Sequence, residues 1–517
     1  MHYIKKLNEN YYIYIILIFV FIPISFLPQL FGGTLIEYAY ETGDISALDN
    51  FYRERGRYFH LPFFYLVDFL AKYTLIPAGI FLDILITIFL ILFCIEVKKY
   101  SKLLFNLENK WCNLAALFTA IFPVWHILVD FDIGLYLISF YFALFGYRKF
   151  TEKKKINIII GLIFIFISFA TQSNLTFVIG LATIFFLLNK SNSAYNFSFL
   201  KLTTIVAISF FYFFLRKYYF TTSGMFEGYN EVTLLNFQEN LTAEKLIKNI
   251  LNYSTYLFLF IWIPLLFIFY LLFKNLSQFS MIKSKLKNVV SYKHFNNYIL
   301  LIILSGFAIF PYLLMNKSSS ILYLADYYQR HALILASIFG LFFSLMFRDL
   351  SKINCLQNKV NLNFYIIIFI CFNLLLLNYG SYRKTESHLF QKNLIHELKT
   401  FGSIPIGNVE LISKNIPADL RTYELSYLFY KAYNIAGWWV IPKPVASFNL
   451  PSYMLNPPSN ILNDNRYSNL NIIKDYKYGC ITQIYLKNSL RKYQRIKQFY
   501  VFKYKKYYNI DKIEKKC

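Results

Sequence analysis

Apolar runs of roughly 17–25 residues recur along the first three quarters of this chain, each long enough to cross about 30 Å of hydrocarbon. Backbone groups in lipid must find their partners within the segment, so continuous runs of this length read as helices. A barrel would need short alternating strands, and these runs do not alternate. Of the 517 residues, 57% are hydrophobic and 16% charged, whereas a water-soluble fold carries about 25% charged residues. The expected fold is an all-α polytopic transmembrane bundle of about 11 spans, followed by a small soluble domain.

The runs fall at 11–31, 75–97, 112–128, 131–147, 156–171, 174–189, 202–216, 251–273, 297–315, 330–347 and 362–379. The stretch 61–97 is too long for one helix, so 61–71 is read as a short interfacial helix leading into 75–97. The first run lacks a small-residue cleavage pattern and is read as a retained helix. The +25 net charge is not read as a nucleic-acid signal, because much of it sits in short loops between the runs. One set of loops carries about 21 basic residues and the other about nine, which places the N-terminus in the cytoplasm. The parity of the spans then puts loops 32–60, 129–132, 217–250 and 316–329 outside, with the tail.

The transmembrane domain is expected to occupy 1–379 and the soluble extracytoplasmic domain 380–517. Seven prolines and no spanning run mark the tail. "GNVELIS", "GCITQIYLK" and "QFYVFKYKKYY" read as strands, and "LRTYELSYLFYKAYN" has helical spacing, so the domain is α/β or α+β. Among six scattered cysteines, Cys480 and Cys517 would be free to pair if the tail faces an oxidising compartment.

The first external loop, 32–60, is the richest polar segment. It sets Glu37, Glu41, Asp44, Asp49 and Glu54 beside Arg53, Arg55, Arg57 and His60. Carboxylates at a membrane surface suit a general base or a divalent metal. Arginines beside them suit bidentate recognition of phosphate. The plainer reading is a solvated loop with internal ion pairs. The next external loop, "LVDFDIGLY", places Asp130 and Asp132 at a helix junction, beside Trp125, His126 and Tyr136. Acidic residues at membrane depth are costly and usually functional, although helix capping would also account for one of them. Arg330 and His331, at the start of a later span, are placed to grip a lipid phosphate or to anchor at the interface. The third loop brings Arg216, Lys217 and Glu227. Asp83, inside a run, would suit a proton path or a local pair. Trp438 and Trp439 would suit stacking on a sugar ring or packing in a domain core.

This layout resembles the GT-C class of polytopic membrane glycosyltransferases, which use polyprenyl-phosphate-linked sugars. "IEYAYETGD" is similar to the acidic-residue-then-helix pattern of their first external loop. Asp130 and Asp132 match a second acidic motif that several members carry in the next external loop. The resemblance implies a catalytic carboxylate in this loop, with Asp44 taken first and Glu37, Glu41 and Asp49 as competitors. It implies that Arg53, Arg55, Arg57, His60, Arg330 and His331 bind the donor phosphate, and that Asp130 and Asp132 hold a divalent metal (Mg or Mn) or position the acceptor. It further implies a bacterial inner (plasma) membrane protein that contacts membrane lipid and transfers a sugar to a cell-envelope acceptor. Several members have an Asp-Glu or D-x-D pair in the first loop, and here there is none. A surface-polysaccharide polymerase or ligase, relying on external arginines, is the nearest alternative. A lipid-linked oligosaccharide transporter and a non-enzymatic scaffold are the others.

Overall fold

A computed structural model describes residues 36, 39–40, 45–74, 76–129, 131–189, 195–222, 242–257, 292–315, 317–319, 327–351, 359–413, 416, 422–435, 438–443, 481–488 and 508–516. The first expected span and most of the one at 251–273 lie outside these residues, as do Cys480, Cys517 and all but the last residue of the strand expected at 498–508.

The described chain is mostly helical. It runs α1 (Ile45–Glu54), α2 (Leu61–Thr74), α3 (Ala78–Phe105), α4 (Asn109–Ala120), α5 (Phe131–Thr151), α6 (Lys155–Ser168), α7 (Ser173–Asn189), α8 (Tyr195–Tyr218), α9 (Ala243–Leu257), α10 (Tyr292–Leu314), α11 (Leu335–Leu350) and α12 (Lys359–Phe401). Among the described residues, four segments are long and apolar enough to cross a membrane: Ala78–Phe105, Ser198–Tyr218, Asn296–Leu314 and Tyr365–Tyr382. Helices α6 and α7 are shorter apolar helices. The 61–97 stretch divides into two helices as expected, but the break falls at Pro77 and not near Lys72: α2 has 14 residues and runs through Lys72 to Thr74, and α3 has 28. Helix α2 leaves Tyr65, Leu66, Phe69 and Tyr73 exposed, consistent with a helix too short to span, at about 21 Å.

The run at 112–128 is not one helix. Helix α4 ends at Ala120, and Pro123–Val129 forms a 3-10 turn. Proline supplies no backbone N–H and its ring clashes with the preceding turn. Trp125 Nε1 donates to the Thr119 carbonyl at 2.6 Å, satisfying an acceptor at the break. The run at 330–347 likewise opens with a 3-10 turn, Tyr327–Ala332, before α11.

Helices α4 and α11 meet at Gly340, where an added Cβ would overlap Thr119 Oγ1 and the Ala115 carbonyl. Close contact through a small residue is a device of membrane helix packing. Gly340→Ala is therefore expected to lower stability by about 1–3 kcal/mol, as overpacked cores do, read as a drop in melting temperature of the detergent-solubilised protein.

Helix α5 measures the distance between two polar ends of the bundle. Asp132 lies in its first turn and Arg148 in its last, about 24 Å apart at 1.5 Å per residue. At the Arg148 end, the guanidinium clamps the buried Glu96 through Nε at 2.6 Å and Nη2 at 3.1 Å. Lys99 shares Glu96 at 2.7 Å, and Lys201 donates to the Thr151 carbonyl at 2.7 Å. Glu96 is thus locally paired, as intramembrane carboxylates commonly are.

The change of composition near 380 falls inside α12, which continues to Phe401. Its later residues Phe390, Leu394 and Leu398 face a second apolar core. Strands β1 (Gly407–Ile412), β2 (Trp438–Lys443), β3 (Ile481–Asn488) and β4 (Tyr508–Lys516) form a sheet in the order β2-β1-β3-β4. Strand β1 is parallel to both β2 and β3, and β4 is antiparallel to β3. Helix α13 (Thr422–Tyr433) is the crossover from β1 to β2 and packs Leu425, Leu428 and Phe429 into the same core. Trp438 is 1% exposed in that core, so packing, not ring stacking with a ligand, describes it. Strand β2 has no counterpart in the sequence reading, because Pro442 and the short run concealed it.

Candidate functional site

The polar centre of the molecule lies where α1, the 3-10 turn Tyr58–His60 and the first turns of α5 meet. Gly56 makes the bend between α1 and that turn. Its φ of +66° is the left-handed region that glycine tolerates, and a Cβ there would overlap the Phe220 carbonyl. The bend sends the flanking arginines to different partners on α5, one turn apart.

Arg55 Nη1 donates to Asp132 Oδ1 at 3.3 Å and lies 3.5 Å from Oδ2. The guanidinium also lies over the Phe51 ring, 3.9 Å from its centroid. Tyr52, fully buried, donates its hydroxyl to the same Asp132 Oδ1 at 2.6 Å. Burial and the Asp132 charge push the Tyr52 phenol well up, which keeps it a donor. Arg57 Nη2 donates to the Tyr136 hydroxyl at 2.7 Å. Burial disfavours the Arg57 cation, but Tyr136 and Asp132 outweigh it and hold the guanidinium above its ordinary value. His60 sits one turn further along α5, with Nε2 3.2 Å from Ser139 Oγ.

Two further elements approach the same end. Tyr312, near the end of α10, is within electrostatic reach of Tyr136, Arg57 and Arg330. His331 packs on the Tyr312 ring at 4.6 Å between centroids, and Tyr312 donates to Ser173 Oγ, at the start of α7, at 2.9 Å. Arg216, in the last turn of α8, is close to Gly56 and within reach of Tyr212. With its amide oxygen turned toward that guanidinium, Gln172 accepts from Nη2 at 3.0 Å.

Of the residues singled out from sequence, Arg55, Arg57, His60 and Asp132 gather directly, and Arg330 and His331 join them through Tyr312. Asp49 and Arg53 form their own pair at 2.6 Å on α1, with half of the Arg53 side chain exposed. Glu37, Asp44 and Asp130 lie outside the described residues. Tyr52, Ser139 and Tyr312 were not singled out from sequence. Nothing separates them from the other tyrosines and serines until the helices pack. Arg216 was assigned to a loop, but it belongs to the last turn of a helix.

Among the described residues, the Asp132 carboxylate faces a phenol O–H and a guanidinium, donors that stand where a metal ion would otherwise bind. Among the described residues no three His, Cys, Asp or Glu side chains gather into a metal-binding group. The arrangement offers, among the described residues, fixed donors and positive charge around the Asp132 carboxylate, which suits an anionic group.

His60 also sets an acid limit. Burial, then the Arg57 charge, pushes its imidazole down from 6.5 to about 3. Between those values the unfolded chain binds a proton that the folded chain refuses, so stability present above about pH 6.5 is lost as pH falls. In thermal unfolding from about pH 7.5 to 4.5, the wild-type protein is expected to lose more stability than His60→Gln. An equal loss in the two proteins would contradict this assignment.

Compared with protein-family models, curated proteins and solved structures, the chain matches none.

Proposed function

We propose that this protein is an integral-membrane glycosyltransferase that moves a sugar from a polyprenyl-phosphate-type donor to a cell-envelope acceptor on the external face. The observation that carries it is the gathering of Arg55, Arg57, Asp132 and Tyr136 at one end of α5, with Arg330 brought close through Tyr312. Guanidinium donors that are at least partly buried and held by neighbours suit a phosphate whose negative charge grows as its bond to the sugar breaks. The apolar helices around them would hold the lipid tail. On this reading the eleven-span topology puts the site outside and the clamp of Glu96 by Arg148 inside, in line with the excess of basic loops on that side.

The chemistry follows from the charges. Asp44 takes the proton of an acceptor hydroxyl. The freed oxygen attacks the anomeric carbon as the bond from that carbon to the phosphate oxygen breaks. The electron pair leaves with the phosphate, where Arg57 and Arg330 hold it, and the sugar centre inverts. Purified protein in lipid nanodiscs is expected to consume a polyprenyl-phosphate sugar and release polyprenyl phosphate, and Asp44→Asn is expected to stop it. Turnover at the wild-type rate in Asp44→Asn would sink the assignment of the base.

One observation favours a second reading. Asp132 is already bound to Tyr52 and Arg55, so the described centre is arginine-rich with a single, occupied carboxylate. A polysaccharide polymerase or ligase would need those arginines and tolerate the loss of Asp44. Activity that persists in Asp44→Asn and disappears in Arg57→Met would select it.

A further inference from the structure

We propose that His60 reads a hydroxyl of the donor sugar through Nδ1, in a seat shared with the Arg57 guanidinium; this rests on the glycosyl-transfer reading above. The proton positions follow from Ser139. Its single hydroxyl proton is donated to the Leu135 carbonyl at 3.0 Å. The same Oγ lies 3.2 Å from His60 Nε2, so it accepts there, and Nε2 carries the imidazole proton. A neutral ring then leaves Nδ1 as a bare acceptor.

That acceptor is buried, in a residue only 2% exposed, and no hydrogen bond reaches it among the described residues. Buried polar atoms without partners are rare in native structures and call for a reason. Three residues earlier, Arg57 shows the complementary feature. Nη2 is engaged by Tyr136, while Nη1 is buried with no hydrogen-bond partner. Arg57 is also the charge that acts most strongly on His60. The ring is held in place by Tyr52, edge-on at 6.1 Å between centroids.

The seat therefore offers one acceptor and one donor. A hydroxyl, which gives one hydrogen bond and takes others, satisfies both. A phosphate oxygen only accepts, so it would serve Arg57 and face the His60 lone pair unfavourably. The seat thus favours a sugar hydroxyl over a second phosphate oxygen, and His60 becomes a specificity-determining residue for the sugar and not a counter-charge for the phosphate.

The test uses the full-length protein in nanodiscs with farnesyl phosphate and with farnesyl phosphates bearing glucose, galactose or mannose. His60→Gln is the informative variant, because its amide N–H still reaches toward Ser139 while the Nδ1 acceptor is gone. The wild type is expected to bind at least one glycosylated ligand about tenfold more tightly than bare farnesyl phosphate. His60→Gln is expected to bring that ligand down to the affinity of the bare phosphate. Nitrogen NMR of histidine-labelled protein is expected to show His60 unprotonated at Nδ1 and to shift only with the glycosylated ligand. Equal binding of bare and glycosylated ligands by the wild type, an undiminished preference in His60→Gln, or a proton on Nδ1 would overturn the proposal and leave the seat to a water molecule. Failure of farnesyl phosphate itself to bind the wild type is a separate result, and it overturns the phosphate-lipid reading together with the inference built on it.

Discussion

Replacing Arg57 by methionine is expected to lower kcat/KM for a polyprenyl-phosphate sugar by about 10²–10³-fold, the usual cost of removing one fixed donor from a charge-stabilising site. Arg57 is set apart from its neighbours by what it touches. Arg53 is matched by Asp49 at an exposed surface, where such pairs contribute little. Arg55 is matched by Asp132. Arg57 hydrogen-bonds a neutral phenol through Nη2, with the Asp132 charge acting at longer range. With no carboxylate hydrogen-bonded to it among the described residues, it is placed, with Arg330, to meet a leaving phosphate. Lysine at the same position keeps the charge but not the planar pair of donors, and most of the loss is expected to remain. Arg53→Met serves as the contrast, with an expected change below about threefold. Equal losses at the two positions would mean that the site acts through general positive potential and not through Arg57.

The second large effect is on stability. Asp132→Ala is expected to cost about 2 kcal/mol, as removing the acceptor of a buried hydroxyl and of a partly buried guanidinium does, read from melting of the detergent-solubilised protein. It strands two donors at once, the buried Tyr52 hydroxyl and the Arg55 guanidinium. Arg55→Met in the same chain removes one stranded group, so the double variant is expected to recover part of the loss. Strict additivity of Asp132→Ala and Arg55→Met in that cycle would contradict the coupling. Tyr52→Phe is expected to cost less, about 1 kcal/mol, because it removes one hydrogen bond and strands no charge.

Much of this architecture was legible from hydropathy alone. The long apolar stretches at Ala78–Phe105, Ser198–Tyr218, Asn296–Leu314 and Tyr365–Tyr382 stand where the runs placed them, because length and polarity are local properties. That 61–97 is two helices, though not that it breaks at Pro77, and the strand at Gly407–Ile412 were legible for the same reason. The end of α4 before Pro123 was also marked in the sequence, but the apolar run through it masked the signal. Residues after 380 read as tail because they turn polar, yet Phe390, Leu394 and Leu398 at helical spacing carry α12 onward into the second core. The site was legible only as a set of loops rich in charge. That Arg55 would meet Asp132 across 77 positions, or that Tyr312 would stand between Tyr136 and Arg330, depends on how α1, α5 and α10 pack. No local pattern encodes that packing. The resemblance to GT-C enzymes pointed at Glu37, Asp44 and Asp130, which lie outside the described residues. The residues that the structure does gather are the arginines and tyrosines around Asp132.

The sidedness of this centre decides whether it can serve an external reaction, and impermeant maleimide labelling of intact cells measures it. In a background lacking the six native cysteines, Asn50→Cys would report the exposed surface of α1 beside the site, and Lys155→Cys the exposed start of α6 near the opposite end. Asn50→Cys is expected to be labelled in intact cells, and Lys155→Cys only after the membrane is opened. Labelling of Lys155→Cys from outside, with Asn50→Cys protected, would place Arg55, Arg57 and Asp132 in the cytoplasm and contradict the external transferase.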